Sequence, residues 1–184
     1  MRVTGGTARG RRLAAPAIAG ARPTSDLVRS AVFNILGPHI LPEARVLDLF
    51  AGTGSLGIEA LSRGAAWADF VEMSSKQCSV IRTNLETTGF GDRAQVLCRR
   101  VERAVGVLAG PYRVVLMDPP YRLEELGPVL EAIDEQELVE DGGKVVVGHS
   151  KRVTLELSYG GLLRGESRRY GDSALDVFTA GPVL

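Results

Sequence analysis

Cysteine, tryptophan and lysine are scarce in this chain, and net charge is absent. There are two cysteines and one tryptophan in 184 residues, aromatics make up 5%, and three lysines stand against nineteen arginines. The 22 basic residues balance 22 acidic ones. No apolar run approaches the ~20 residues that span a bilayer, which excludes a helical membrane protein. Two cysteines cannot staple a disulfide scaffold. Cys78 and Cys98 fit no CxxC or Cys/His ligand spacing, so reduced, buried thiols and no metal are expected. The N-terminal run MRVTGGTARGRRLAAPA is basic but lacks the apolar core of a signal peptide, which predicts a cytoplasmic protein. What remains, with 45% hydrophobic residues, suits one domain that buries about 70% of its unfolded surface.

The zero net charge conceals a strong polarity. Residues 1–30 carry six arginines (Arg2, Arg9, Arg11, Arg12, Arg22 and Arg29) against Asp26 alone. Residues 122–141 hold eight acids against Arg122, and residues 151–170 return to five basic residues against Glu156 and Glu166. Guanidinium forks bind phosphate bidentately and stack on bases, so arginine gathered at one end points to a polyanion. The acidic stretch, expected as a helix over about 123–138, reads as an ordinary solvated face turned away from that partner.

The first 20 residues stand apart from the rest. RVTGG and RGRRLAA flank Gly5-Gly6 as a β-hairpin arm, and Pro16 and Gly20 follow as a hinge. Thr24 and Ser25 supply N-cap hydroxyls for a helix to about Leu36, which Gly37-Pro38 closes. From Arg45 the chain alternates. Buried strands are predicted at 45–50, 67–72, 94–98, 113–117 and 144–148, with helices at about 55–63, 75–88, 100–108 and 123–138. Residues 161–170 and 173–180, split by Gly171-Asp172, predict an antiparallel hairpin. This order predicts an α/β fold: a doubly wound, Rossmann-like sheet of about seven strands with an antiparallel edge hairpin. The organisation expected is an arm over 1–20 and a domain over 21–184.

The first strand runs into VLDLFAGTGSLGIEALSRG, where Gly52, Gly54 and Gly57 satisfy G-x-G-x-x-G between a strand and a helix. Glycine there lets backbone approach a ligand closely. Glu72, 20 residues after Gly52, is placed to accept both hydroxyls of a ribose. Up to this point NAD and S-adenosylmethionine (SAM) fit equally. Three features tilt the balance. Asp48 lies beside the loop, where it would repel a pyrophosphate and attract a sulfonium and an ammonium. No residues are left for the substrate domain of a dehydrogenase. A second motif, Asp118-Pro119-Pro120-Tyr121, also follows the fourth strand.

Strand carboxyl ends are where open α/β sheets place ligands. Two consecutive prolines hold a rigid turn, so the Asp118 carboxylate and the Pro119 carbonyl become acceptors at fixed separation. An exocyclic NH2 on a base has two N–H donors to match them. Holding both aims the nitrogen lone pair at an electrophile, and Tyr121 can stack on the base. An aryl amine is a poor nucleophile, so catalysis rests on orientation and on stabilising the developing positive nitrogen. Asp118 is therefore expected to orient and stabilise the amine; proton abstraction by it is the lesser role.

LDLFAGTGSLGIEALSRGA, Glu72 and DPPY in this order resemble the class I SAM-dependent amino-methyltransferases. RVTGGTARGRRLAAP, RPTSDLVRSAVFNIL and the closing RRYGDSALDVF are more specific. With them the whole chain resembles the RsmD-type enzymes, which methylate the N2 amine of one guanine in bacterial small-subunit (16S) ribosomal RNA. The resemblance implies that Phe50, Ala51, Gly52 and Gly54 line the methionine half of SAM, with Asp48 nearby. Glu72 would hold the ribose, Met73 would lie against the adenine, and Asp118 through Tyr121 would hold the guanine. Thr24 and Arg22 would close the site. One departure shows: related enzymes often meet the adenine amine with an acid or Asn after the third strand. Here the stretch is Cys98-Arg99-Arg100-Val101, which leaves backbone groups and packing by Val101.

A guanine in folded RNA must be extruded into such a pocket. Arg2, Arg9, Arg11 and Arg12 would then clamp RNA phosphates, and removing residues 1–15 is expected to spare SAM affinity while transfer collapses. The expected partner is 16S RNA in an assembled or assembling small subunit, with the enzyme a monomer. The alternatives are a DNA adenine or cytosine amino-methyltransferase and a noncatalytic RNA-binding module on a vestigial SAM fold. His39 and His149 show no partner in sequence and are expected to be structural.

Overall fold

Alternating apolar runs and short loops give parallel strands buried on both faces. In the computed structural model, which describes residues 1–20, 24–123 and 125–182, β1 (Arg45–Leu49), β2 (Trp67–Glu72), β3 (Ala94–Cys98) and β4 (Tyr112–Met117) are parallel. β5 (Val139–Ser150) pairs parallel with β4; β6 (Ser158–Tyr159), β7 (Leu162–Tyr170) and β8 (Ser173–Ala180) complete an antiparallel edge. The order is β3-β2-β1-β4-β5-β8-β7-β6, so the sheet grows one way from β1 to β3 and the other way from β4 onward. That switch point is where a doubly wound sheet opens a crevice for ligands.

One face of the sheet packs against α1 (Asp26–Leu36), α2 (Ser55–Ser62) and α3 (Ser75–Thr88), with Val46, Ala68, Phe70 and Val114 in the core. The other packs against α4 (Val101–Ala104) and α5 (Gly127–Glu135), around Leu47, Leu49, Val115 and Val147. The hairpin expected at 161–170 and 173–180 forms as β7 and β8. Several boundaries differ from expectation. The fourth helix is one turn, not nine residues, and the fifth begins at Gly127. Glu140 and Asp141 belong to β5, whose start is joined to β4 through Tyr112 and Val139 before a bulge. Gly142, at φ +74, turns the chain there, which hydrophobic patterning does not register.

The first residues form a ribbon with one antiparallel bridge, Arg2 to Arg12, and with Val3 N–H bonded to Arg11 O. The ribbon lies on the domain. Val3, Ala8 and Leu13 are buried in the same core as α1 and α2. Buried Glu59 on α2 accepts from Thr4 N–H, Thr4 Oγ1 and Gly5 N–H, and Ala8 N–H donates to Ser62 Oγ. Farther along, Ala14 N–H donates to Asn84 Oδ1 and Ala17 N–H to Gln77 Oε1, both on α3.

Candidate active site

The glycine loop leaves β1 through three left-handed residues: Phe50 at φ +58, Gly52 at +58 and Gly54 at +78. A bulky non-glycine residue in that region is strained, and such strain gathers at ligand sites. The three glycines of the motif do different work. A Cβ on Gly52 would meet nothing within 4 Å, so Gly52 supplies the turn. Gly54 is the left-handed N-cap of α2. A Cβ on Gly57 would fall 2.3 Å from the Phe70 ring, so this glycine serves the packing of α2 on the sheet. Ala51 is anchored by its N–H on Val71 O.

Two carboxylates frame the loop. Glu72, at the end of β2, accepts from Gly52 N–H and from Ser74 N–H, both at 2.9 Å. A carboxylate offers about four lone-pair positions, so two fixed N–H donors set its orientation and leave capacity for a diol. Asp48, buried beneath the loop, accepts from Gly57 N–H at 2.9 Å. Burial holds its carboxyl well above the usual range; the Gly57 bond opposes this, and the Asp118 and Glu72 charges add to it. A buried acid with that bias fits a cationic ligand. Met73, 62% exposed, presents its side chain at the strand end, whereas Val101 is buried as the first residue of α4.

Leu49 and Met117 are register partners on β1 and β4, so Asp118 begins its turn one strand away from the glycine loop, about 4.8 Å across the ladder. Gly148 on β5 makes room for the carboxylate: a Cβ there would lie 2.8 Å from Asp118 Oδ1. The Thr24 hydroxyl donates to Asp118 Oδ2. Thr24, expected beside the cofactor, is thus brought to the motif that should hold the substrate. Pro119 is buried, Pro120 and Tyr121 are exposed, and the Tyr121 hydroxyl is hydrogen-bonded to Ser173 Oγ at the start of β8. The cleft lined by Thr24, Val28, Leu116, Asp118 and Gly148 has room for about one water.

Arg2, Arg9, Arg11 and Arg12 are all exposed on the ribbon, and Arg22 lies outside the described residues. The ribbon binds α2 at Glu59 and Ser62, toward the helix end remote from the glycine loop. Sequence reasoning missed Gly148, Ser173 and the Glu59 anchor, because nothing local marks contacts made between residues far apart in the chain. It also left His149 without a partner. The structure pairs buried His149 Nε2 with Asp176 Oδ2 at 2.7 Å. Burial raises the Asp176 carboxyl, but bonds to His149 and Ser167 outweigh it and hold the group low.

Comparison with known proteins agrees with this geometry. A family described as "Conserved hypothetical protein 95" matches residues 1–179. The Bacillus subtilis protein named "Putative rRNA methyltransferase YlbH" is 38% identical over 97% of this chain and 98% of its own. Ribosomal RNA small subunit methyltransferase D of Escherichia coli K12 is 42% identical over 71% of this chain and 67% of its own. A solved Escherichia coli protein named "Putative methyltransferase yhhF" superposes with a TM-score of 0.85 at 30% identity, covering 100% of this chain and 99% of that one. At 17% identity the fold alone is shared with a Salinibacter ruber RNA methyltransferase solved with S-adenosyl-L-homocysteine; the TM-score is 0.66 over 89% of this chain and 95% of that one. An eight-stranded sheet of class I methyltransferase type, a glycine loop bonded to the Glu72 carboxylate, and these matches along nearly the whole chain place it in the RsmD family of SAM-dependent methyltransferases.

Proposed function

We propose that this chain transfers the methyl group of SAM to the exocyclic N2 amine of a specific guanine in small-subunit (16S) ribosomal RNA. The carrying observation is the adjacency of two strand ends. β1 delivers the glycine loop, β4 delivers Asp118-Pro119-Pro120-Tyr121, and Leu49 is paired with Met117 between them. The cofactor supplies an electrophilic methyl on a sulfonium. The chain supplies placement. Glu72 takes the ribose hydroxyls, Asp48 faces the cationic end, and Phe50, Ala51, Gly52 and Gly54 shape the wall around the methionine portion. Met73 and Val101 border the adenine.

Asp118 and the Pro119 carbonyl accept the two amine N–H bonds and turn the nitrogen lone pair toward the methyl. As that nitrogen becomes positive, the carboxylate stabilises it in a site shielded from water. Tyr121 stacks on the base. No base is needed before transfer, because the methylated ammonium is strongly acidic and gives its proton to Asp118 or to water.

The deciding experiment offers labelled SAM to small ribosomal subunits, the matching protein-free RNA and duplex DNA, with both RNA substrates from cells that lack the activity. Label on the subunit at one guanine N2 is the expected result. Label on DNA alone overturns the substrate and keeps the chemistry; no label anywhere, with SAM bound, favours a noncatalytic module.

Arg9, Arg11 and Arg12 are assigned to RNA phosphates. Truncating residues 1–15 would strip Val3, Ala8 and Leu13 from the core and the Glu59 anchor from its partners, so substitutions are the cleaner test. The triple Arg→Ala variant should keep its SAM affinity and melting temperature. Its RNA affinity should fall, and the log–log salt slope should flatten by about 2, near 0.7–0.9 per lost phosphate contact. An unchanged slope removes the arm from the interface.

Asp48 adds a pH signature. A carboxyl whose folded value is raised costs stability as pH climbs from its unfolded value toward the folded one. A cation beside it favours the ionised form, so cofactor binding releases a proton. SAM affinity should therefore strengthen with rising pH, up to about tenfold per unit, above the ordinary carboxylate range and below about pH 7.5, where the ligand's own amine begins to titrate. Asp48→Asn should bind more weakly with a flat profile. A flat profile in the unaltered protein removes Asp48 from the cationic end.

A further inference from the structure

The two cysteines, 20 residues apart in sequence, meet at the rim of the cofactor crevice. Cys78 lies in the first turns of α3 and is buried, while Cys98 ends β3 and is exposed, which corrects the expectation that both thiols are buried. Their sulfurs are 2.7 Å apart. Cys78 Sγ also donates to Glu72 O at 3.3 Å, and Cys98 is the register partner of Glu72 on the neighbouring strand. The pair therefore touches, from two sides, the residue assigned to the ribose. Ion pairing and the proposed methyl transfer make no use of it.

We propose that Cys78 and Cys98 form a reversible oxidative modification site, at which a hydroperoxide closes a disulfide and weakens SAM binding. The chemistry divides by exposure. Cys98, open to solvent, meets the oxidant. Its sulfur gives two electrons to the peroxide, an S–O bond forms, the O–O bond breaks, and the alcohol or water leaves with the proton that the Cys98 thiol gives up. Cys78 is the nucleophile already in reach. Its sulfur attacks that of Cys98, the S–S bond forms, the S–O bond breaks, and the released hydroxide takes the Cys78 proton as water. A dithiol reductant returns both thiols.

Burial, then the bond to Cys98 and the charges of Cys98 and Glu72, push the Cys78 thiol up to about 12, with Arg82 opposing. Cys78 is thereby protected from direct oxidation, and the Cys98 charge no longer bears on it once Cys98 carries the sulfenic acid. The disulfide consumes the S–H that donates to Glu72 O and draws the sulfurs to about 2.05 Å. That shifts the end of β3 against the Glu72 strand, where the ribose and adenine are received.

The effect on the cofactor rests on Glu72 holding the ribose, and the experiment separates the two. The full-length protein is treated with limiting hydrogen peroxide, digested without reduction, and titrated with SAM before and after dithiothreitol. A linked Cys78–Cys98 peptide should appear, the intact mass should fall by two hydrogens, and the dissociation constant should rise about three- to tenfold, the worth of one hydrogen bond, then recover. Cys98→Ser should lose the link and the peroxide response. Oxygen added to Cys98 without a link overturns the site, and a link that leaves SAM affinity unchanged overturns the switch. Glu72→Gln, titrated without oxidant, tests the ribose assignment alone: affinity unchanged there would reject that assignment while the disulfide itself stands.

Discussion

Asp118→Ala should lower single-turnover methyl transfer by about 100- to 1,000-fold, the range for removing one preorganised group aimed at developing charge. SAM affinity should stay within about threefold of the unaltered protein, less than the mean worth of one lost hydrogen bond, since this side chain serves the substrate and not the cofactor. The structure supports the split. Asp118 lies a strand away from the glycine loop, bonded to Thr24 and given room by Gly148. The Asp118 charge is also one of those that hold the Asp48 carboxyl high, so its loss eases Asp48 ionisation and works against any fall in cofactor affinity. Asp118→Asn is the informative companion. It keeps one carbonyl oxygen for one N–H of the amine but places a donor where the second acceptor stood. Transfer by both variants within about tenfold of normal would show that the Pro119 carbonyl and the rigid turn suffice, leaving Asp118 no catalytic role.

The second large effect is on folding. Arg29 on α1 is fully buried, with Nη2 bonded to Arg2 O at 2.6 Å and to Asp26 Oδ1 at 2.9 Å, and with Nε 3.8 Å from Glu59 Oε2. Glu59 is equally buried and collects Thr4, Gly5 and Arg63 besides. Asp26 is largely exposed, so Glu59 is the buried counter-charge of Arg29. Glu59→Ala leaves the buried guanidinium with exposed Asp26 as its remaining acid and strands two backbone N–H groups of the ribbon. Breaking a buried pair from one side costs about 3–5 kcal/mol. For a chain of this size each kcal/mol moves Tm by roughly 2–4 °C, so a fall of about 6–20 °C is expected by calorimetry. Arg29→Met combined with Glu59→Leu should recover part of it, because the desolvated charges leave together. A fall below about 2 °C for the single variant would mean that Arg29 is satisfied without Glu59. The same network explains why the basic ribbon is presented rigidly: its arginines point outward from a base that α2 grips.

The sequence by itself determined the α/β class, the five parallel strands, the antiparallel edge hairpin and the family. These rest on local signals: apolar runs of strand length, glycine where backbone must turn left-handed, and a Pro-Pro turn at a strand end. Gly52, Glu72 and Asp118 were legible for the same reason, since each sits at a fixed offset from a strand terminus. The doubly wound pattern also predicts that the fourth strand neighbours the first, as β4 does β1, but offsets cannot say what crosses between strands. Only the tertiary structure fixed the register of Leu49 with Met117, brought the Thr24 hydroxyl to a carboxylate 94 residues away, and gave Glu59 to the ribbon. It also divided the glycines, assigning Gly57 to the face of Phe70 and Gly52 to the open turn. The two thiols show the same limit. Their spacing of 20 residues resembles no motif, and they meet because parallel pairing of β2 with β3 places Cys98 against the strand end from which α3 departs. Local chemistry is written in the order of residues; proximity across a sheet comes from the packing of both faces, which no short stretch of the chain encodes.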